Sequence, residues 1–321
     1  MREGAMNYTQ YINLQIRSQF GNYDKSVIYG QNIVAGSRIS GLGAGLETIK
    51  GALAINTTNS ENSLMGMGFG LSLSGIPSLF LMKQHDFALL GLDQLVNTNN
   101  VLRQGRLKSP FLVLMVVVDS GFEGPQASLN SLAEFASLSK APVHLLSTKE
   151  SIDEGFKQSQ APGLHFLAVG QANMKKKVKE SENSILLSPG VIFYPGNNPK
   201  NLKVSIAIVF YGVDIEIGKL AQASLLTQGV IADIFVICKL SRSVVTEILL
   251  RNLVKYEKSV VIDTGKSEIH YSTELALALL QSGQSVKVFQ RIPSHVWSEV
   301  SDDSLEFDDN EIVRYILSGD T

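Results

Sequence analysis

Glu61 is the one charged residue between Lys50 and Lys83, and it leads the run "NSLMGMGFGLSLSG" (62–75), which is otherwise fit for burial. Two readings of this carboxylate follow from residue type and spacing. Thr58-Asn59-Ser60-Glu61 matches a capping box, with Thr58 as N-cap and Glu61 reaching back to its amide, an arrangement worth about 1 kcal/mol. Alternatively, the carboxylate holds a hydrogen bond to a ring nitrogen that must gain a proton. A carboxyl group in an apolar, glycine-lined site exchanges protons more readily near neutrality than one in water. Spacing leaves both readings open.

Other chemical signatures fail. "GLGAGLE" (41–47) lacks the glycine spacing of a dinucleotide fingerprint, and "DTGKSE" (263–268) has Val260 where a phosphate loop needs its first glycine. The five histidines, at 85, 144, 165, 270 and 295, show no metal-ligand spacing. His144 and His165 sit within apolar strands and read as core or strand-end residues. No Gly-x-Ser-x-Gly elbow occurs. The single cysteine, Cys238, rules out a disulfide framework.

The elements that must position Glu61 alternate between strand-length apolar runs and helix-period segments. "KSVIYG" (25–30), "IPSLFLM" (76–82), "FLVLMVVVD" (111–119), "APVHLLS" (141–147) and "GLHFLAV" (163–169) read as strands. The unbroken apolar character of 111–119 suits a parallel sheet covered on both faces. Segments 86–104 and 128–139 carry helical periodicity, with Asp86 near the start of the first. From 170 to 200 the composition turns polar and Pro/Gly/Asn-rich, which predicts strand remnants and a domain boundary near 195–202. The pattern then restarts as strands at 203–212, 231–240, 258–265 and 284–292, alternating with helices at 213–229, 241–257 and 271–283. A last helix is expected around "DNEIVRYIL". The expectation is α/β: two three-layer domains with mostly parallel sheets, spanning 6–195 and 202–321.

At 321 residues, the length suits two domains. The hydrophobic fraction of 44% provides ample core material, and a net charge of −2 offers no basic surplus for nucleic acid or a membrane surface. No apolar run reaches the roughly 18 residues of a membrane span, and "MREGAMNYTQ" has no apolar signal region. A cytoplasmic location is therefore expected, with residues 1–5 open to being native or appended.

The ordered set "SENSLMGMGFGLSLSGIP" (60–77), "HDFALLGLDQLVN" (85–97), "IAIVFYG", "IADIFVICKLS", "SVVIDTG" and "STELALAL" is similar to a known arrangement. It resembles the beta subunit of the pyruvate dehydrogenase decarboxylase component. More broadly it resembles the pyrimidine-binding domain shared with transketolase and deoxyxylulose-phosphate synthase, followed by the transketolase carboxy-terminal domain. The resemblance runs from about Met6 to 300. It implies a thiamine diphosphate enzyme that cleaves or forms a carbon–carbon bond beside a carbonyl of a 2-oxoacid or ketose. Glu61 falls on the glutamate that bonds the aminopyrimidine ring. Phe87 falls on the aromatic that stacks on that ring, and Leu64 and Met65 on its surroundings. The family's Gly-Asp-Gly motif for Mg²⁺ and the diphosphate is missing; Gly319-Asp320 is the one Gly-Asp pair. The resemblance therefore implies that a separate alpha-type chain holds Mg²⁺ and the diphosphate, in an assembly of two alpha and two beta chains that also associate through the beta chains.

Two further departures bear on the substrate. Beta subunits carry Gly-Ala-Gln-His-Ser where this chain reads "GPQAS" (124–128), so Ala127 stands in place of a histidine tied to acyl transfer to lipoyl groups. Gln31 and Asn32 replace an acidic pair, keeping hydrogen-bonding capacity without charge. His85, beside the expected pocket, is either a substitute acid/base group or a polar helix-entry residue. The expected function is a beta-like subunit acting in 2-oxoacid decarboxylation with acyl or aldehyde transfer, or in carboligation. The alternatives are half of a split transketolase-like enzyme, or a scaffold subunit that has lost its chemistry.

Overall fold

The computed structural model describes residues 6–102, 105–119, 127, 129–179, 183–198, 204–241, 247–266, 270–290 and 309–318. Helix α1 (Tyr8–Gly21) opens on a capping box in which the Asn7 carboxamide accepts from the Gln10 amide and the Gln10 side chain accepts from the Asn7 amide. Then come β1 (Ser26–Gly30), β2 (Ala52–Asn56), α2 (Glu61–Leu73), β3 (Ser78–Met82), α3 (Asn99–Leu102), β4 (Pro110–Val117), α4 (Leu132–Ser139), β5 (Val143–Leu145), α5 (Lys149–Gln158) and β6 (Gly163–Gly170). The remaining elements are β7 (Ile185–Ser188), β8 (Val191–Tyr194), β9 (Ile206–Tyr211), α6 (Glu216–Thr227), β10 (Ala232–Ile237), β11 (Lys239–Leu240), α7 (Glu247–Leu253), β12 (Lys258–Asp263), α8 (Ser272–Gln281), β13 (Ser285–Gln290) and α9 (Asp309–Leu317).

Two sheets organise the chain, in the orders β11-β5-β6-β4-β3-β1-β2 and β13-β12-β9-β10-β8-β7. All pairings are parallel except β11 on β5, β8 on β10 and β7 on β8. Strand β4 shows why: all eight of its residues are buried. Leu112, Leu114 and Val116 pack with Ile12 and Ile16 of α1 and Ile152 of α5. Phe111, Val113, Met115 and Val117 pack on the other face with Met65 and Phe69 of α2 and Phe135 of α4. Only a strand covered on both faces calls for so unbroken an apolar run.

The apolar layer under α2 and α4 continues into the second sheet, where it takes in Val209, Tyr211 and Val261. Their neighbours Ile208, Phe210, Val260 and Ile262 point the other way, towards Leu225 of α6 and Ile312 of α9. The two sheets thus share one continuous core.

Strand pairing does not follow the boundary expected near 195–202. Strands β7 and β8 precede it yet pair into the second sheet, and β11 lies beyond it yet pairs with β5 of the first. The polar stretch hid a short antiparallel hairpin, and the single strand expected over 231–240 breaks at Cys238, whose amide donates to Gly190 and whose carbonyl accepts from Leu145.

The helix expected over 86–104 is instead a 3₁₀ segment His85–Gly91, a π-helical turn Gln94–Thr98 and the short α3. Gly91 sits against α2, where a Cβ would fall 2.7 Å from Met65 Cγ. The helix expected from 128 begins at Leu132, because Leu129 donates to the Asp86 carboxylate and the Asn130 side chain donates to the Thr264 carbonyl.

Candidate functional site

Glu61 is the first residue of α2 and is only 6% exposed. The expected capping box is absent: Ser60 is the N-cap, without a side-chain capping bond. The Glu61 Oε1 instead accepts from Gln31 Nε2 at 3.3 Å, across from the end of β1. Gly30, just before Gln31, lets β1 lie close to β3, since a Cβ there would meet the Leu81 carbonyl oxygen at 2.2 Å. The loop after Gln31 is pinned by Asn56, whose carboxamide oxygen accepts from the amides of Ile33 and Val34 at 2.8 and 3.0 Å. Asn32 follows Gln31 with φ of 53° and an exposed side chain.

Phe87 is half-buried at the edge of the apolar cluster that contains Leu64, Met65 and Ala88. The Leu64 carbonyl accepts from Tyr29 Oη at 2.9 Å, and Tyr29 stacks on Phe80 with centroids 5.2 Å apart. The N-terminal turn of α2 is thereby held from below, while the segment carrying Phe87 lies against it through Gly91. Glu61 is thus the buried carboxylate at the head of a helix whose neighbours are a carboxamide and an aromatic ring's supporting segment.

His85, read from the sequence either as an acid/base group or as a polar helix-entry residue, is enclosed. It is 0% exposed, with Nδ1 3.2 Å from Met115 Sδ and its ring edge-on to Phe135 at 4.6 Å. Burial pushes its pKa down to about 4 against the opposing pull of Asp86, so the imidazole is neutral near pH 7. Its surroundings are those of a packed core histidine. Ala127 is buried; the rest of 124–128 lies outside the described residues. Among the described residues no group of three or more His, Cys, Asp or Glu side chains could hold a metal ion. No helix among them is long and apolar enough to cross a membrane.

Sequence reasoning named Gln31 only as a departure and missed Asn56. The signal for Asn56 was present in "INTTNSE", an asparagine at a strand end facing a turn.

The fold, two α/β domains with mixed, largely parallel sheets, is shared with solved transketolase structures. A structure described as "Split gene transketolase, inactive beta4 tetramer" superposes with a TM-score of 0.67 at 13% identity, covering 98% of each chain. Transketolase from Campylobacter jejuni subsp. jejuni superposes with a TM-score of 0.69 at 12% identity over 98% of this chain, which spans 46% of that longer one. No protein-family model and no curated protein sequence matches the chain.

Proposed function

We propose that the chain is the half-site subunit of a thiamine diphosphate enzyme of the split transketolase kind. The observation that carries this is Glu61: a single carboxylate, buried at a helix head and bonded by one weak carboxamide contact, in a fold shared with transketolase. The donor set suits an aminopyrimidine. A carboxylate oxygen can bond a ring nitrogen, and a half-buried phenyl face can stack on the ring. Thiamine diphosphate supplies the electron sink for making and breaking a carbon–carbon bond beside a carbonyl. Glu61 would hold a proton at the ring nitrogen, Gln31 would fix the carboxylate's rotamer, and Phe87 would present the ring face. Leu64 and Met65 would keep water from the ring's surroundings.

A diphosphate and Mg²⁺ need cradling amides and hard oxygen ligands, and the sequence carries no Gly-Asp-Gly motif for them. In this reading a partner chain of the alpha type supplies them, and the substrate is a ketose or a 2-oxoacid. Association is supported by apolar side chains left open around the site. Leu53 and Ile55 lie on the edge strand β2, and Leu89 and Leu90, the latter 60% exposed, lie on the Phe87 segment. Exposed apolar groups of this sort mark contact surfaces.

The pyruvate dehydrogenase beta-type reading is the weaker one, because Ala127 offers no imidazole for acyl transfer to a lipoyl group and the structural similarity is to transketolase. The test needs no substrate. In the complex reconstituted with its co-purifying partner, the exchange of the thiazolium C2 proton with deuterium is measured for wild type and for Glu61→Gln. A loss of about 100-fold or more supports the proposal; an unchanged rate overturns it.

A further inference from the structure

Gln31 and Asn32 are bracketed on both sides by one dipeptide of the neighbouring strand end. On one side the Thr57 amide donates to the Gly30 carbonyl at 3.0 Å. On the other the Asn56 Oδ1 accepts from the Ile33 and Val34 amides at 2.8 and 3.0 Å. Asn56 is the register partner of Gly30 across β1 and β2. The bonds to Ile33 and Val34 therefore close a short ring of backbone around Gln31 and Asn32. Asn32 turns within that ring at φ of 53°, a left-handed conformation that asparagine tolerates better than most residues.

The loop beyond is strained and clamped. Arg38, Ile39 and Ser40 follow one another with φ of 48°, 47° and 53°. Left-handed residues cost roughly 1–2 kcal/mol each, and a β-branched one such as Ile39 is an outlier there. The loop is held by groups from other elements. Asn13 of α1 donates to the Leu42 and Ala44 carbonyls at 2.7 and 3.0 Å. Ile33 and Leu42 are buried with Ile12 and Ile16 of the same helix. Backbone strain persists where the surroundings over-determine it, and it gathers at sites that need a fixed geometry. Helix α1 holds the far end of this loop, and Asn56 holds the end that carries Gln31.

We propose that Asn56 is a positioning residue for the Glu61 carboxylate, acting through Gln31, an assignment that rests on the thiamine diphosphate reading of Glu61. The Gln31 Nε2 contact of 3.3 Å is already long for a hydrogen bond, so a small displacement of the Gln31 backbone loses it. Removing the Asn56 carboxamide releases residues 31–34 from the end of β2. The Val34 amide lies at an exposed place, where water can replace the lost acceptor, so the loss falls on the geometry at Glu61 more than on the fold.

Two measurements test this. In the chain alone, hydrogen–deuterium exchange of the Ile33 and Val34 amides should quicken about 10-fold or more in Asn56→Ala. It should stay at the wild-type rate in Gln31→Leu, because Asn56 acts on the backbone and Gln31 only follows it. In the reconstituted complex with thiamine diphosphate, exchange of the thiazolium C2 proton should slow about 10-fold in Asn56→Ala. Adding Asn56→Ala to Gln31→Leu should slow it no further than Gln31→Leu alone, whereas independent effects would multiply to about 100-fold. Asn56→Asp keeps an oxygen for both amides and should restore their protection and most of the C2 exchange rate. Wild-type C2 exchange in Asn56→Ala overturns the assignment, as do losses that multiply in the double variant or amides that exchange no faster without the carboxamide. Glu61→Gln separates the two levels. If it exchanges like wild type, the proposed function fails and the assignment with it. If it loses exchange while Asn56→Ala does not, the assignment alone fails.

Discussion

Among the described residues, the Glu61 carboxylate accepts one side-chain hydrogen bond, the 3.3 Å bond from Gln31 Nε2. Replacing Gln31 with Leu should leave the carboxylate free to swing. We expect thiazolium exchange in the reconstituted complex to slow by about 10-fold, less than for Glu61→Gln, since positioning and not the proton carrier is lost. Gln31→Glu places two carboxylates together and should displace the pH profile of exchange, which a purely structural glutamine would not do. Glu61 was legible in the sequence because it is a lone charge in an apolar run. Its capping partner was misread, since Thr58 and Glu61 satisfy the pattern but Ser60 takes the N-cap place. His85 kept two readings in the sequence for a related reason: position beside a pocket in sequence does not fix the side a ring faces, and here Met115 and Phe135 enclose it.

At the scale of elements, the glycines of α2 divide by what lies beside them. A Cβ on Gly68 would fall 2.2 Å from the Phe111 ring, whereas one on Gly70 would meet nothing within 4 Å. Gly68→Ala should therefore cost about 1–3 kcal/mol through overpacking. Gly70→Ala should stabilise by about 0.5–1 kcal/mol through lost backbone freedom in the unfolded chain. Thermal unfolding of the two variants should move in opposite directions. Strands β3, β4, β6, β9, β10 and β12 were legible because both-face burial writes continuous apolar runs. The Phe87 segment was not. Its periodicity is helical, but Gly91 and Asp86 bend it for contacts with α2 and Leu129 that lie far away in sequence.

For the whole molecule, burial of neutral histidines makes stability depend on pH. His85 and His165 both have pKa values pushed down to about 4 by burial, and His144, stacked on His165 at 5.6 Å, is lowered as well. The unfolded chain binds these protons more readily, with values near 6.5. Stability is thus full above about pH 6.5 and falls as pH drops towards 4, by up to on the order of 3 kcal/mol for each of His85 and His165. Denaturant unfolding at pH 8 and pH 5 should show the loss, and His165→Asn should flatten the slope. Two α/β units were legible from the restart of the strand-helix pattern, but their interlocking was not. Neither the two-residue β11 nor the β7–β8 hairpin has enough length to announce which sheet it joins. The shared core under α2 and α4 makes the two units one packed body.

Under the proposed function, this chain carries the pyrimidine half of a thiamine diphosphate site and needs a partner for the rest. Titration calorimetry with thiamine diphosphate and Mg²⁺, on the chain alone and on the complex that co-purifies with it, tests this most directly. No saturable binding by the chain alone and stoichiometric binding by the complex are expected. Tight binding by the chain alone, or none in either state, would contradict it.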